Sequence, residues 1–553
     1  MNFMIMCFLM ILPPIPGKIS PELDRILDQT APFEKITVIV HMNTEYPFEQ
    51  MAGFPSAERA AVMKDITLNS QRNIIEYISS LPAEKAVMGG QYWIFNGFHL
   101  KATRDVIENL AGRDDVWFIC ENSVVQLPPN ELGGPYPAVA EWNIQKVMAD
   151  SCWQAGYSGD SIFIGILDTG CDFNHPALQG KWSGRWYDFV NGQSAPYDDH
   201  GHGTFASGIV CGGDGLGTFV NDIGVAPGAK LVVAKVFDQN GGATYAALDS
   251  AMQWMADLRA DSGVAIKAVT NSWGNSSYTD LHFWNICLTW KTLNMLGIFS
   301  AGSSGPGSAT INVPASFPLV MASGATDNSD VIASFSSRGP APNQSPWNDI
   351  IYWYRPDWGL IKPDLVAPGV SIRSSYNNNG YVVMNGTSWS NPHIAGAVAI
   401  MTEVDSTLGI TEIYNFLLDN ADWPTGGGTR PNNTYGWGRL NIWRTLQAIT
   451  GIEETGSLTD VRLSLTVYPS ISRGNVQIAF HASKGQRAEN TELKIYDISG
   501  RLVKSFSSLV PRPSSFVAWL GDDANDLPVP AGVYLVELTC GTSQLTKKAV
   551  LLR

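Results

Sequence analysis

The stretch SIFIGILDTGCDFNHPAL, residues 161–178, decides the fold. From Ile162 to Leu167 every residue is apolar or glycine, a run of strand length without polar alternation. A run of this kind suits a strand covered on both faces, as in a parallel sheet, rather than one with a wet side. It ends on DTG, which leaves Asp168 at the carboxyl end of the strand, where ligands bind in open parallel sheets. A carboxylate there either caps a turn or faces a site.

Similar apolar runs recur at AKLVVAKVFD (229–238), AIKAVTNSWG (265–274) and LGIFSAG (296–302), spaced by helical patterns such as TYAALDSAMQWMADLRA (244–260). This alternation over residues 138–450 predicts an α/β domain built on a parallel sheet. Ahead of it, residues 18–130 read as a small α+β unit. Its expected strands are KITVIVHM (35–42), YWIFNGFHLKA (92–102) and VWFICENSVVQL (116–127), with helices near 57–80 and over RDVIENLAG (104–112). QLPPNELGGPYP (126–137) supplies the turn residues of a boundary. Residues 456–553 carry short strand-like pieces broken by Gly, Pro, Asn and Asp, the pattern of a β-sandwich. At the start, the apolar stretch Phe3–Leu12 is too short to cross a bilayer and has the length of a secretion signal's hydrophobic region, so residues 1–17 are expected to be a signal peptide.

The net charge of −15 and the lack of a Lys/Arg run argue against a nucleic-acid partner. Seven cysteines lie scattered without CxxC spacing, which gives no zinc motif and no metal site in the expected set. Four of them, Cys152, Cys171, Cys211 and Cys287, share one segment, so disulfides and buried free thiols both stay open.

Two further stretches carry chemistry. YDDHGHGTFASG (197–208) sets His200 and His202 among glycines after two aspartates, readable as a metal site, a proton shuttle or a polar turn. NGTSWSNPHIAGAVAIM (385–401) places Pro392 early in an apolar helical pattern, so Ser388 stands at or just before a helix N-terminus. Alone, Ser388 reads as an ordinary N-cap. Together the three pieces supply a nucleophile, a base to take its proton and a carboxylate to hold the base's tautomer. They follow one another along the chain in the order Asp168, His202, Ser388, which is the order of the subtilisin triad.

ILDTGCDFNHPAL, DDHGHGTFASGI and NGTSWSNPHIAGAVA resemble the three active-site signatures of the subtilisin-like serine proteases. GVAPGAKLVVAKV (224–236), ASFSSRGP (333–340) and IKPDLVAPGV (361–370) resemble the bacillopeptidase-F-like branch. The resemblance implies a peptide-bond hydrolase acting through an acyl-enzyme, with Asp168 orienting, His202 as base then acid, and Ser388 as nucleophile. His200 becomes a polar turn residue and His175 a packing residue; His393, five residues after Ser388 on the same helical pattern, points away from the hydroxyl by helix periodicity and reads as structural. By resemblance Ser272, Trp273 and Gly274 form a cleft wall, with Trp273 where a smaller side chain is common. In FSAGSSGPG (299–307), Ser303 stands where the family places an oxyanion-donating asparagine, and Trp389 replaces a usual methionine. No cofactor is implied for catalysis; structural calcium is compatible with the family, but the sequence marks no site for it.

The 18–130 unit resembles an inhibitory prodomain, and VYPSISRGNVQIAF, LKIYDISGRLVK and AGVYLVELTCGTSQLTKKAVLLR resemble the sorting domains of type IX secretion cargo. The expected partners are protein or peptide substrates, the chain's own prodomain and export or attachment machinery, in a secreted or cell-surface protein. The rival from another class is a weakened protease fold serving as a surface binding or adhesion protein, motivated by Ser303 and Trp389. An esterase on an α/β-hydrolase fold is disfavoured by the residue order and the lack of GxSxG around Ser388.

Overall fold

A computed structural model describes residues 17–48, 50–51, 53–128, 131–132, 141–217, 219, 221–355, 357, 359–451, 463–468, 471–472, 476–482, 491–506, 515–525, 527–540 and 543–552. The expected signal peptide over 1–17 lies outside the described residues except for Gly17.

The first unit contains α1 (Pro21–Gln29), β1 (Lys35–Met42), α2 (Ser56–Ser80), β2 (Ala86–Tyr92), β3 (Gly97–Thr103), α3 (Arg104–Ala111) and β4 (Val116–Glu121). Its antiparallel sheet has the order β2-β3-β1-β4. Two expected strands divide. A tight turn at Asn96, with φ of 52°, splits YWIFNGFHLKA into the end of β2 and most of β3. The last strand stops at Glu121, and a separate β5 (Val124–Gln126) follows. A short β6 (Glu131–Leu132) comes next.

The central unit runs through α4 (Trp142–Lys146), α5 (Ala149–Gln154), β7 (Phe163–Asp168), β8 (Trp182–Asp188), α6 (His202–Cys211), β9 (Lys230–Lys235), β10 (Gly242–Thr244), α7 (Tyr245–Ala260), β11 (Ala268–Asn271), α8 (Trp284–Thr292), β12 (Leu296–Ser300), β13 (Met321–Thr326), β14 (Leu365–Pro368), β15 (Ile372–Tyr376), β16 (Gly380–Asn385), α9 (Ser390–Val404), α10 (Ile410–Asp419) and α11 (Ile442–Thr450). Seven strands form a parallel sheet in the order β14-β13-β12-β11-β7-β9-β8. The chain crosses β7 to build both halves, so the carboxyl end of β7 is a topological switch point, and Asp168 stands on it. Two apolar clusters cover the sheet: one includes α7 and α8, the other α9, α10 and α11. α9 is buried almost all round, which explains its lack of a polar stripe. Cys152, Cys171, Cys211 and Cys287 are free and buried, so the thiol alternative holds for them.

The last unit packs a three-stranded sheet, β17 (Leu463–Tyr468), β19 (Val476–Ala482) and β22 (Ser515–Trp519), with a five-stranded one. The latter holds β18 (Ile471–Ser472), β20 (Thr491–Asp497), β21 (Leu502–Phe506), β23 (Gly532–Cys540) and β24 (Ser543–Leu551). Side chains of both sheets, among them Leu465, Ile478, Trp519, Ile495 and Val536, share one core.

Candidate active site

Asp168 and His202 meet in the core. Oδ1 of Asp168 accepts from Nδ1 of His202 at 2.7 Å and from the Thr169 backbone N–H at 2.7 Å, with both side chains 1% exposed. This fixes the proton of His202 on Nδ1 and leaves Nε2 as the basic nitrogen. Nε2 is buried and has no hydrogen-bond partner among the described residues.

Local sequence explains the placement. His202 opens α6, and a Cβ on Gly203 would stand 2.1 Å from the Gly170 carbonyl oxygen, so only glycine lets α6 approach the end of β7 this closely. Asp198 fastens the entry. Its carboxylate accepts from the backbone N–H groups of His200, Gly201 and Thr204 and from the Thr204 and Thr169 hydroxyls. Burial disfavours its charge, but these donors outweigh that and hold its pKa low. Asp199 pairs with buried Lys235 at 2.6 Å, and that lysine also donates to the Thr169 and Phe237 carbonyls. Both carboxylates that a metal site at His200 and His202 would need are therefore engaged. His200 shapes the turn, its ring centroid 6.2 Å from that of His202.

Ser388 lies in the 3-10 turn Thr387–Trp389, immediately before α9. It is not a side-chain N-cap: its Oγ donates to the Ser272 carbonyl at 3.2 Å, while the Ser272 hydroxyl donates back to the Ser388 carbonyl at 2.8 Å. Asn391 joins this knot, accepting from Ser272 at 3.1 Å and donating to Thr270 at 2.8 Å. Trp389, the next residue after Ser388, packs on His202 with ring centroids 4.7 Å apart and on Phe205 at 4.2 Å. The tryptophan side chain is thus buried beside the histidine.

Trp273 is likewise buried, against Phe283 and Phe299. Gly274 borders Asn312, whose side chain also fills the space a Cβ on Gly302 would need, 2.5 Å away. Asn312 carries no signal in the sequence, where it sits in an apolar stretch with no motif of its own. Ser303 follows Gly302 and is exposed. His175 accepts from the Ala177 N–H at 3.1 Å and lies 2.9 Å from the Gly380 carbonyl oxygen. His393 is wholly buried between the Trp389 carbonyl at 2.7 Å and Asn143 at 2.9 Å, and burial lowers its pKa to about 4.

The first unit reaches this region. β5 pairs antiparallel with β10, and the Leu127 N–H donates to the Gly241 carbonyl at 2.9 Å. A Cβ built on Gly241 would stand 3.3 Å from Leu127 and 3.6 Å from Nε2 of His200. Beyond it, Glu131 pairs with Asn385, three residues before Ser388.

Comparison with known proteins agrees with this architecture. The model of the subtilase family matches residues 159–438, and that of the secretion system C-terminal sorting domain matches residues 466–552. Bacillopeptidase F of Bacillus subtilis is 31% identical over 71% of this chain, a match that takes in 29% of that protein. Subtilisin DY of Bacillus licheniformis and subtilisin Savinase of Lederbergia lenta are each 30% identical, over 51% and 54% of this chain and 90% and 96% of their own lengths. The sorting domain marks the chain for export. No helix among the described residues is long and apolar enough to cross a membrane.

Proposed function

The chain belongs to the subtilase family of serine proteases, and on that premise we propose that it is a secreted endopeptidase whose triad is Asp168, His202 and Ser388, held in check by its own N-terminal unit. The observation that carries the reading is the buried Asp168–His202 pair, whose free Nε2 lies beside the turn that bears Ser388. Ser388 turns its Oγ from the Ser272 carbonyl to Nε2 of His202, gives up its proton and attacks the scissile carbonyl. The imidazolium is stabilised by Asp168 and then protonates the leaving amine; water, activated by the same nitrogen, releases the acyl group. The Ser388 N–H at the positive end of α9 faces the developing oxyanion, with the Ser303 hydroxyl as the second donor.

Substrate binds as β5 does, as an extended strand along β10, with Ser272, Trp273 and Gly274 offering backbone on the other side. The N-terminal unit is the prodomain: its last strand fills this groove, and self-cleavage falls between Leu127 and Glu131, the stretch bracketed by β10 and β16. The rival reading, a catalytically weakened fold that binds at the surface, draws on exposed Ser303 in place of an amide donor. A fluorophosphonate probe on the processed protein decides between them. Labelling mapped to Ser388 and lost in His202→Ala supports the protease; an unlabelled, folded protein supports the binding protein.

A further inference from the structure

The seam between the N-terminal and central units contains a group that the proposed protease chemistry does not use. His41 on β1, Cys120 on β4 and His282 just before α8 point their ligand atoms together, all within 4.8 Å of one another, and all three side chains are buried. Sγ of Cys120 lies 3.7 Å from Nδ1 of His282. Tetrahedral zinc with ordinary bond lengths sets neighbouring N and S ligands about 3.3–3.6 Å apart, so this edge is nearly formed, and closing the others takes a shift of about 1 Å.

Two independent features point to an occupant. His41 is 2% exposed, yet neither ring nitrogen has a partner among the described residues. An imidazole buried in this way is costly unless something meets it. Aromatic packing against Phe95, Trp117 and Phe118 orients the ring but satisfies neither nitrogen. The second feature is the support behind His282. Its Nε2 lies 2.9 Å from Oδ1 of wholly buried Asp249, which fixes the ring proton there and leaves the Nδ1 lone pair facing Cys120. A carboxylate behind a histidine whose other nitrogen faces a thiol is the usual support of a metal-binding imidazole. Tyr245 stacks flat on the same ring at 4.2 Å and holds its plane.

We propose that this seam binds one zinc ion through His41, Cys120 and His282, with Asp249 as the positioning residue and a fourth position open to water. Two nitrogens and one sulfur suit a borderline-soft ion and disfavour calcium or magnesium, which take oxygen. On binding, the Cys120 thiol loses its proton to solvent and both imidazoles enter neutral. The N-terminal unit supplies two ligands and the central unit the third, so the ion clasps the two together. The metal site rests on this geometry alone; its effect on release of the N-terminal unit rests on the prodomain reading as well.

The test uses the full-length, untagged Ser388→Ala chain, loaded with zinc, desalted and assayed by elemental analysis. About one zinc per chain is expected to remain. Cys120→Ala and His41→Phe are each expected to lose nearly all of it, Asp249→Asn to weaken binding about 10- to 100-fold, and Cys287→Ala to keep it. Cobalt in place of zinc is expected to give a thiolate-to-cobalt charge-transfer band, a readout in the parent chain that does not depend on any variant folding. Failure to retain zinc overturns the proposal, as does bound cobalt without that band or equal zinc retention in a folded Cys120→Ala chain. These failures leave the protease reading untouched, since it stands on Ser388 labelling.

Discussion

The two units that flank the protease body treat it in opposite ways. The N-terminal unit shares a core with it: Ile39, Tyr46, Trp93 and Phe95 belong to the same apolar cluster as residues of α7 and α8. Polar contacts then fix the angle of approach. Nε1 of Trp93 donates to Asp257 at 2.9 Å, Lys64 bridges Asp257 and Asp261, and the Asn122 side chain accepts from the Ala246 N–H at the start of α7. The C-terminal unit instead keeps a core of its own, and the hydrogen bonds and ion pairs described for it run within it. The sorting domain is an export label, to be read by something other than the body it is attached to. Among the described residues, it is the N-terminal unit that shares an apolar core with the body.

The severest test of this contrast is Ser388→Ala, which should lower peptidase turnover by on the order of 10⁶-fold, the scale on which a subtilisin triad fails when its serine is removed, and leave the N-terminal unit covalently attached. Intact mass together with hydrolysis of a chromogenic peptide reads both, and a variant that still cuts itself would remove the assignment. Next, Trp93→Ala in the processed complex should raise the dissociation constant of the severed N-terminal unit roughly 30- to 1000-fold, the range of a buried aromatic anchor. Inhibition titrations measure it; an unchanged constant would mean that the shared core holds without its anchor.

Acid should then distinguish the body from its appendages. Folded His393 has its pKa lowered to about 4, against about 6.5 for an unfolded histidine. Below pH 6.5 the unfolded chain takes up a proton that folded His393 refuses, so this contribution is whole above pH 6.5 and is lost as pH falls through 4, by up to about 3 kcal/mol. Urea unfolding of the Ser388→Ala chain across that window should show the loss, and His393→Gln should flatten it. A smaller effect follows from the oxyanion side. Ser303→Asn, which lengthens the exposed donor, should raise turnover roughly 3- to 100-fold with little change in Michaelis constant, seen in steady-state kinetics. Least of all, deleting residues 456–553 should leave the kinetic constants within about 2-fold, because the described core of that unit is separate from those of the body and additivity holds between independent parts. The same truncation should alter where the protein accumulates; lost activity would instead show the sandwich to be a structural part of the body.

Whatever depends on neighbours in sequence is legible in it. The unbroken apolar run of β7, the glycines around His202 and the proline early in α9 each dictate local geometry, and from them follow the strand end, the close helix approach and the serine-bearing turn. What depends on distant partners is not legible. Trp273 and Trp389 sit among small residues, and nothing local says whether such a ring turns to solvent or inward; Phe283, Phe299 and Phe205, all outside those local stretches, settle it. His41, Cys120 and His282 have no motif spacing, because two strands and a loop bring them together only after docking. The pairing of β5 with β10 is hidden for the same reason: read locally, Val124–Leu127 is merely the end of the preceding strand.

That pairing has a use at the bench. Val125 and Leu127 are buried, while Val124 and Gln126 are exposed. On the proposed reading of β5 as the occupant of the substrate groove, Val125 and Leu127 are the anchors and Val124 is the position open to a dye, a quencher or a solubilising group, since the Gln126 side chain donates to the Asn240 carbonyl at 2.7 Å. On the same proposed reading, a peptide library begins with branched aliphatic residues at those two alternate positions, and an inhibitor begins as the same four residues carrying a boronate.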